Sequence, residues 1–369
     1  MTQTWKRGLI LAGGLLTAGL TGCGPEGDSL EGPPDTTPGM VRAALTVYEQ
    51  AAVDTANASP DCTSLGDFYW EVGNGTAKLF GFSRGSTVSE TTVMPLASAS
   101  KWLYASAYVQ SKGYANLSAA EKKQLNFTSG YLESGNTVTS CGDAGTTVSD
   151  CYGPSYKDVS YRLLQDGNFY YDGGHMQKLA LDDMGARLGT GLASVIDWLN
   201  GQLGTSLPES HGAVAVAGGF WGSAEHYRVF LQKLLTNQYA MSVRLNADAV
   251  PAWPGGPGVA YTPWVTGQAY YGLGHWLERE LVSGTWKVSG HSSPGAFGFY
   301  PWVEAGKSQY MLLARYRANS AGGEGELSRA CAHDIYKAYT THWVFHSSEP
   351  HAPSHFSSTP GQVMLRGLP

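Results

Sequence analysis

A serine and a lysine three positions apart, Ser98 and Lys101, are the pair in this chain best suited to chemistry. An apolar segment, 93–96, precedes them, and a helical pattern follows from Trp102 to Gln110. Side chains three apart on a helix share one face, so the lysine amine would point at the serine hydroxyl. A serine hydroxyl becomes an effective nucleophile when an adjacent base takes its proton. The spacing therefore predicts an activated serine. The alternative is an exposed helix start at which Ser98 is only the N-cap.

A second serine lies in Gly81-Phe-Ser-Arg-Gly85, which matches the Gly-x-Ser-x-Gly nucleophile elbow. That elbow requires a strand, a sharp turn and then a helix. The residues that follow, 86–93, are rich in β-branched side chains and lack a helical pattern. We therefore reject this serine as a nucleophile.

The elements that must position Ser98 follow from periodicity and turn signals. Asn74-Gly75 is a strong hairpin signal between two alternating segments. Helices are predicted at 38–56, with Thr37 and Pro38 as start signals, and at 160–164, 175–187, 192–202, 224–236 and 327–341. Strands are predicted at 68–73, 78–83, 271–281, 284–291, 296–303 and 309–316. This order predicts an α/β (α+β) fold, with an antiparallel sheet flanked by N- and C-terminal helices and an all-helical lobe at about 105–255.

The two ends of the chain differ in composition from the rest. Residues 1–22 combine a basic start with a short apolar run, which is typical of a signal peptide. The segment ends in Leu20-Thr-Gly-Cys23, which resembles a bacterial lipoprotein cleavage box. We expect acylation of Cys23, a flexible tether at 23–37, a folded domain at 38–345 and a disordered tail at 346–369. The alternative is an ordinary secretory signal with an incidental cysteine.

The remaining cysteines, Cys62, Cys141, Cys151 and Cys331, are even in number in a chain with an export signal, which indicates disulfides. Three pairings are possible. Proximity in sequence favours Cys141–Cys151, which would leave Cys62–Cys331 to join the two ends of the domain.

Composition and motifs limit the partners. The formal net charge is −6 and no basic stripe is present, so nucleic acid is not an expected partner. No zinc spacing, phosphate loop or dinucleotide fingerprint occurs, so no cofactor or metal is expected. His346, His351 and His355 have no cysteine or carboxylate to complete a metal site. We expect a monomer anchored to a membrane by its lipid.

With Ser98-x-x-Lys101 opening the first helix of the helical lobe, the layout resembles the serine β-lactamase and penicillin-binding-protein superfamily. The class C β-lactamase and family VIII esterase branch is the most similar. Three further segments carry this resemblance, and they occur in the family's order: Leu125-Asn-Phe-Thr-Ser-Gly-Tyr131, Ala217-Gly-Gly-Phe-Trp-Gly-Ser-Ala224 and Tyr271-Gly-Leu-Gly274.

The second family motif, Tyr-x-Asn, is matched by Tyr171-Asp-Gly173, which leaves Gly173 where asparagine is usual. The resemblance implies that Tyr171 takes the Ser98 proton and later delivers it to the leaving group. A phenol needs a nearby ammonium to do this near neutral pH, and Lys101 would supply it. The alternative is that Tyr170 and Tyr171 are simply packed rings.

The third family motif, Lys-Thr-Gly or His-x-Gly, is matched by Ser293-Pro-Gly295, so its cation is missing. His291 lies two residues earlier, on the same face of the strand, where it could partly replace this cation. The alternative is a buried or turn histidine. The resemblance implies substrate contacts at Ser293, Gly295 and Gly173. It also implies an oxyanion hole made by the N–H groups of Ser98 and Ala296.

These residues predict a serine hydrolase that forms an acyl-enzyme with an ester, amide or peptide at the bacterial cell envelope. The missing cation predicts poor β-lactam turnover. The competing hypothesis is a non-catalytic envelope binding lipoprotein with the same fold, since fold alone does not establish function.

Overall fold

The structure is a computed structural model, and it describes residues 44–134, 141–184, 190–318 and 323–343. The predicted signal peptide, Cys23, the tether and the tail with its three histidines lie outside the described residues. Their assignments stay predictions.

The α-helices of the described residues are α1 Val47–Ala58, α2 Pro60–Thr63, α3 Ala99–Lys112, α4 Ala119–Leu125, α5 Val148–Tyr152, α6 Gly174–Met184, α7 Leu192–Leu203, α8 Ala224–Leu235 and α9 Glu324–Thr341. The strands are β1 Phe68–Gly73, β2 Lys78–Arg84, β3 Met94–Pro95, β4 Ser129–Glu133, β5 Val159–Asp166, β6 Phe169–Tyr170, β7 Trp221–Gly222, β8 Val250–Pro251, β9 Val259–Tyr261, β10 Ala269–Tyr271, β11 Trp276–Val282, β12 Thr285–Ser292, β13 Tyr300–Glu304 and β14 Tyr310–Ala314.

Eight of these strands form one antiparallel sheet in the order β2-β1-β14-β13-β12-β11-β10-β8. The predicted hairpin is confirmed, because β1 and β2 pair antiparallel around Asn74, whose side chain accepts the N–H groups of Thr76 and Ala77. The predicted C-terminal meander and closing helix are also confirmed, as β11 to β14 and α9, although β11 begins at Trp276 rather than at 271 and β13 at Tyr300 rather than at 296. The mixed α/β class with a large antiparallel sheet is therefore as expected.

Both faces of the sheet are covered, which explains why every residue of β1 is buried. On one face, Trp70 of β1 packs with side chains of α1 and α9 in one apolar cluster. On the other face, Tyr69 packs in the core that contains α3 and α8. Disulfides join Cys62 to Cys331 and Cys141 to Cys151, which is the pairing that the sequence favours.

Several predicted boundaries are wrong. The first helix of the described residues begins at Val47, after the non-helical residues 44–46, because Thr46 and Glu49 form a capping box at that point. The predicted start at Pro38 lies outside the described residues. Residues 160–164 are not a helix but belong to β5, which pairs with β4. The described residues of 105–255 therefore contain more helix than strand but are not all-helical. Pairing with β4 decides the conformation of β5, whose residues Leu163 and Leu164 are exposed and so give no inward-facing pattern.

A buried ion pair attaches α8 to the sheet. Glu71 of β1 is fully buried and accepts two hydrogen bonds from Arg228, at 2.8 and 2.6 Å. The hydroxyls of Tyr69 and Tyr310 also donate to its carboxylate. Four hydrogen bonds are therefore donated to the Glu71 carboxylate, and they compensate for the loss of water around it.

Replacing Glu71 by Gln should lower the free energy of unfolding by about 1.5–3 kcal/mol, because Arg228 loses its fully buried charged partner and keeps only Glu90, at 2.6 Å. Lys123→Gln is the matched control. It breaks an exposed pair with Asp166, so it should cost less than about 1 kcal/mol. Urea denaturation followed by circular dichroism measures both changes, and equal losses for the two variants would contradict the assigned role of the buried pair.

Candidate active site

Ser98 lies at the N-terminus of α3, immediately after a turn at Ala97 with φ of 51°. Such a backbone angle costs a non-glycine residue about 1–3 kcal/mol, so the surrounding contacts must hold the turn. The Ser98 side chain makes no capping hydrogen bond. Lys101 Nζ instead donates to Ser98 Oγ at 3.0 Å and to the Ala217 carbonyl at 2.6 Å. One turn of helix thus brings the amine within proton-transfer distance of the hydroxyl.

The Ala217-Gly-Gly219 turn packs directly against this helix start. A Cβ atom at Gly219 would lie 2.3 Å from the Ala213 carbonyl oxygen, so the backbone has no room for a side chain there. A Cβ at Gly218 would lie 3.4 Å from the Ala97 carbonyl oxygen. Gly219 therefore permits the tight turn that carries the Ala217 carbonyl, which accepts from Lys101, whereas the position of Gly218 has ordinary space for a Cβ.

Tyr171 follows β6 and faces the same site. Lys101 Nζ lies 5.0 Å from the centroid of its ring, over the ring face. Tyr171 and Ser98 line a common pocket, whereas the Tyr170 ring packs on Tyr261, with 5.2 Å between ring centroids. The rings in contact with Tyr171 are Phe127, Tyr271 and Trp276. Of the two neighbouring tyrosines, Tyr171 is thus the one next to the serine and lysine.

A buried histidine holds the turn that carries Tyr171. His175 Nε2 lies 3.0 Å from the Tyr170 carbonyl oxygen, and Nδ1 lies 2.7 Å from Ser129 Oγ. A carbonyl oxygen only accepts, so Nε2 carries the proton and Nδ1 accepts from the serine hydroxyl. Burial lowers the pKa of His175 to about 4, which keeps the ring neutral. The Thr-Ser-Gly segment thus positions the tyrosine turn through Ser129.

Two carboxylates lie beside Gly173, where the family has its asparagine. Asp172 Oδ1 accepts the N–H groups of Glu133 and Gly174 at 2.9 and 2.7 Å. Burial, followed by the negative charge of Glu133, raises the pKa of Asp172 to about 6. Glu133 pairs with Lys157 at 3.1 Å. A Cβ at Gly173 would lie 2.4 Å from Glu133 Oε1, so the Glu133 carboxylate fills the space of the missing side chain.

The segment after β12 packs against the Ser98 turn from the opposite side. Ser293 is buried, and its hydroxyl donates to the Ser98 carbonyl at 2.7 Å. A Cβ at Gly295 would lie 2.4 Å from the Leu96 carbonyl oxygen. Ser98 and Ala296 line both pockets, and within the described residues neither of their N–H groups donates a hydrogen bond. Two backbone donors are therefore available for an oxyanion.

His291 does not reach this site. It is buried, its ring centroid lies 5.4 Å from that of His275, and it lines a separate cavity with Arg244 and Lys307. Burial and the nearby His275 hold its pKa well below the usual range. His291 is therefore a neutral structural histidine, and it does not replace the missing cation of the third motif.

Two pockets open on Ser98. The charged pocket, with a volume of about 390 Å³, is lined by Ala97, Ser98, Lys101, Glu133, Lys157, Gly173, Gln177, Ala213, Ala215, Ala217, Gly218, Gly219, Ala296 and Phe297. The aromatic pocket, of about 100 Å³, is lined by Ser98, Tyr171, Pro263, Trp264, Trp276, Pro294, Gly295, Ala296, Gly323, Gly325 and Glu326. A substrate carbonyl at Ser98 could therefore extend one group into each pocket.

The described part of the chain has no group of three His, Cys, Asp or Glu residues arranged to hold a metal ion. Among its helices, none combines the length and apolarity needed to cross a membrane.

The structure brings Ser98, Lys101, Tyr171, Gly173, Gly295 and Ala296 together around the two pockets, whereas Ser293 lies behind the Ser98 turn. Sequence reasoning missed Glu133, Lys157, Asp172 and His175. Two of them lie beside recognised motifs in the sequence. Glu133 comes shortly after the Thr-Ser-Gly segment, and Asp172 directly follows Tyr171.

Neither a protein-family model nor a curated protein matches this chain. Solved structures do match its fold. A β-lactamase from Mycobacterium bovis is 20% identical, with a TM-score of 0.51 over 78% of this chain and 99% of that one. A class C β-lactamase from Rhodobacter sphaeroides is 14% identical, with a TM-score of 0.52 over 79% and 99%. A D-amino acid amidase from Ochrobactrum anthropi SV3 is 13% identical, with a TM-score of 0.55 over 79% and 100%. The chain adopts the fold of the serine β-lactamase and penicillin-binding-protein superfamily.

Proposed function

We propose that this chain is a serine hydrolase that forms an acyl-enzyme on Ser98. The observation that carries the proposal is the 3.0 Å contact between Ser98 Oγ and Lys101 Nζ, at the junction of two pockets. A serine that only capped its helix would use its hydroxyl on the backbone N–H groups of α3, and Ser98 does not.

The reaction has two stages. Ser98 Oγ attacks the substrate carbonyl carbon, and its proton passes to the Lys101 and Tyr171 pair, which then delivers it to the leaving group. The N–H groups of Ser98 and Ala296 stabilise the oxyanion, and each such donor typically contributes on the order of 3 kcal/mol. Breaking the bond to the leaving group gives the Ser98 ester. Water then attacks this ester, returns a proton to Ser98 and releases the acid.

Labelling with an alkyl fluorophosphonate tests the proposal directly. The serine oxygen would displace fluoride from phosphorus, which adds a fixed mass to the peptide that contains Ser98. We expect this mass on the wild-type chain and not on Ser98→Ala. An unlabelled wild type with no ester turnover would instead support the non-catalytic binding protein.

Nitrocefin turnover should be poor while p-nitrophenyl butyrate is cleaved. A β-lactam carries a carboxylate that family enzymes meet with the cation of the third motif. Here the Ser293 hydroxyl is neutral and already donates to the Ser98 carbonyl, and the described lining of the aromatic pocket includes Glu326 and no Lys or Arg. In the charged pocket, Lys157 is already paired with Glu133. A missing charge-assisted hydrogen bond lowers kcat/KM by about tenfold to hundredfold. Comparing kcat/KM for the two substrates checks this, and efficient nitrocefin hydrolysis would contradict it.

The hydrolase is proposed to act at the cell envelope, anchored through acylated Cys23. The two disulfides support an oxidising compartment. Cys23→Ser should move the protein from the membrane fraction to the soluble fraction of cells, because the thiol that would carry the lipid is lost. Ser98→Ala is the matched control, since it alters the site and leaves the anchor in place. A wild type found wholly in the soluble fraction would refute the anchor.

A further inference from the structure

The charged pocket contains an acidic group that none of the three family motifs accounts for. Glu133 Oε2 pairs with Lys157, whereas within the described residues Oε1 has no hydrogen bond. Oε1 lies where the side chain of the second motif would begin, 2.4 Å from the Cβ position of Gly173. A neutral amide that could both donate and accept is thus replaced by an oxygen that, when ionised, can only accept.

The surroundings of Glu133 leave this acceptor facing the pocket. Lys101 Nζ donates to Ser98 Oγ and the Ala217 carbonyl, and within the described residues it makes no hydrogen bond to Glu133. The Glu133 side chain is 25% exposed, and that of Lys157 is 23% exposed, so both are partly desolvated but reachable. A partly buried carboxylate without a full set of donors binds a cationic N–H donor well.

We propose that Glu133 Oε1 binds a protonated amine on the acyl side of the substrate. The preferred substrates are then esters or amides of amino acids with a free ammonium group. Their N-acylated counterparts offer a neutral amide and should bind poorly. This inference rests on the proposed function, because attack by Ser98 places the acyl group of the substrate in the site. Recognition of the amine is a binding step, and it can be measured without turnover.

Kinetics on a matched substrate pair test the inference. Alanine p-nitroanilide and N-acetylalanine p-nitroanilide, in both enantiomers and at pH 7, differ at the α-nitrogen, which is an ammonium in the first and a neutral acetamide in the second. We expect the wild type to favour the free amine by about 10–100-fold in kcat/KM, the range of one charge-assisted hydrogen bond. Glu133→Gln should remove this preference, and fluorophosphonate labelling, which requires no amine, measures separately the reactivity of Ser98.

Two further variants separate recognition from a structural role. Lys157→Gln removes the competing cation, so it should keep or increase the preference for the free amine. If the ion pair were only structural, Lys157→Gln and Glu133→Gln would have the same effect. The double variant Glu133→Ala with Gly173→Asn opens space for an amide, and it should shift the preference toward the N-acetyl substrate.

Binding to Ser98→Ala keeps this inference separate from the proposed function. Calorimetric titration with alaninamide and N-acetylalaninamide should show tighter binding of the free amine by about 10–100-fold, with or without turnover by the wild type. Equal binding of the two ligands, or equal loss of both in Glu133→Gln, would overturn amine recognition. Absent labelling together with selective amine binding would overturn only the acyl-enzyme.

Discussion

Ser98→Ala should lower kcat for p-nitrophenyl butyrate on the order of 10⁴-fold or more, the scale seen when a serine nucleophile is removed. Among the described residues, Ser98 and Ala296 are the two that line both pockets, and the nearby Ser293 hydroxyl already donates a hydrogen bond to the Ser98 carbonyl. The free energy of unfolding should change little, since the Ser98 side chain does not cap α3. Steady-state kinetics and urea denaturation measure these two quantities.

Ser111→Ala is the matched control, because Ser111 lies in the same helix and its hydroxyl contacts only the Tyr108 carbonyl. It should leave kcat within about twofold of wild type, as expected for a surface change away from the site. Lys101→Met should reduce kcat nearly as much as Ser98→Ala, and the double variant should be no slower, since the two residues act as one unit. Ester hydrolysis that survives unchanged in Ser98→Ala would refute the nucleophile.

Gly295→Ala should reduce kcat about 10²–10³-fold, the usual effect of losing one oxyanion donor. The new Cβ would lie 2.4 Å from the Leu96 carbonyl oxygen and 3.1 Å from that of Phe299, so the loop must move. Because Ala296 is the next residue, its N–H would move away from Ser98. The loss should fall on kcat more than on KM, since the donor acts mainly on the transition state.

Gly306→Ala provides the control for this second variant. An added Cβ there meets nothing nearer than the Glu304 side chain at 4.0 Å. Its kcat should stay within about twofold of wild type. A Gly295→Ala enzyme with wild-type kcat would show that the Ala296 N–H does not take part in catalysis.

Local sequence signals were sufficient wherever a segment and its partner are close in the chain. Asn74-Gly75 predicted the β1–β2 hairpin, because both strands and the turn lie within one short segment. The Ser98 to Lys101 contact follows from helical spacing alone. Helices α7 and α8 were likewise found with their starts correct and their ends within one residue.

Local signals failed where partners are distant or absent. Residues 160–164 were assigned to a helix, although pairing with β4, about thirty residues earlier, makes them part of β5. The helix predicted at 38–56 includes the non-helical residues 44–46, because the capping box of Thr46 and Glu49 sets the observed start of α1 at Val47. Tertiary pairing and capping geometry override propensity in both cases.

The sequence by itself determined the serine and lysine pair, the fold class, and the loss of asparagine and cation at Gly173 and Ser293. These features depend on residue identity and short spacings, which are visible without a structure. Only the tertiary structure decided what replaced the missing groups. Glu133 and Gly173 are forty residues apart in sequence, yet the turn after β6 places them in contact. Ser293 is held against Ser98 in the same way. Such contacts arise from the packing of separate elements, and no local spacing encodes them.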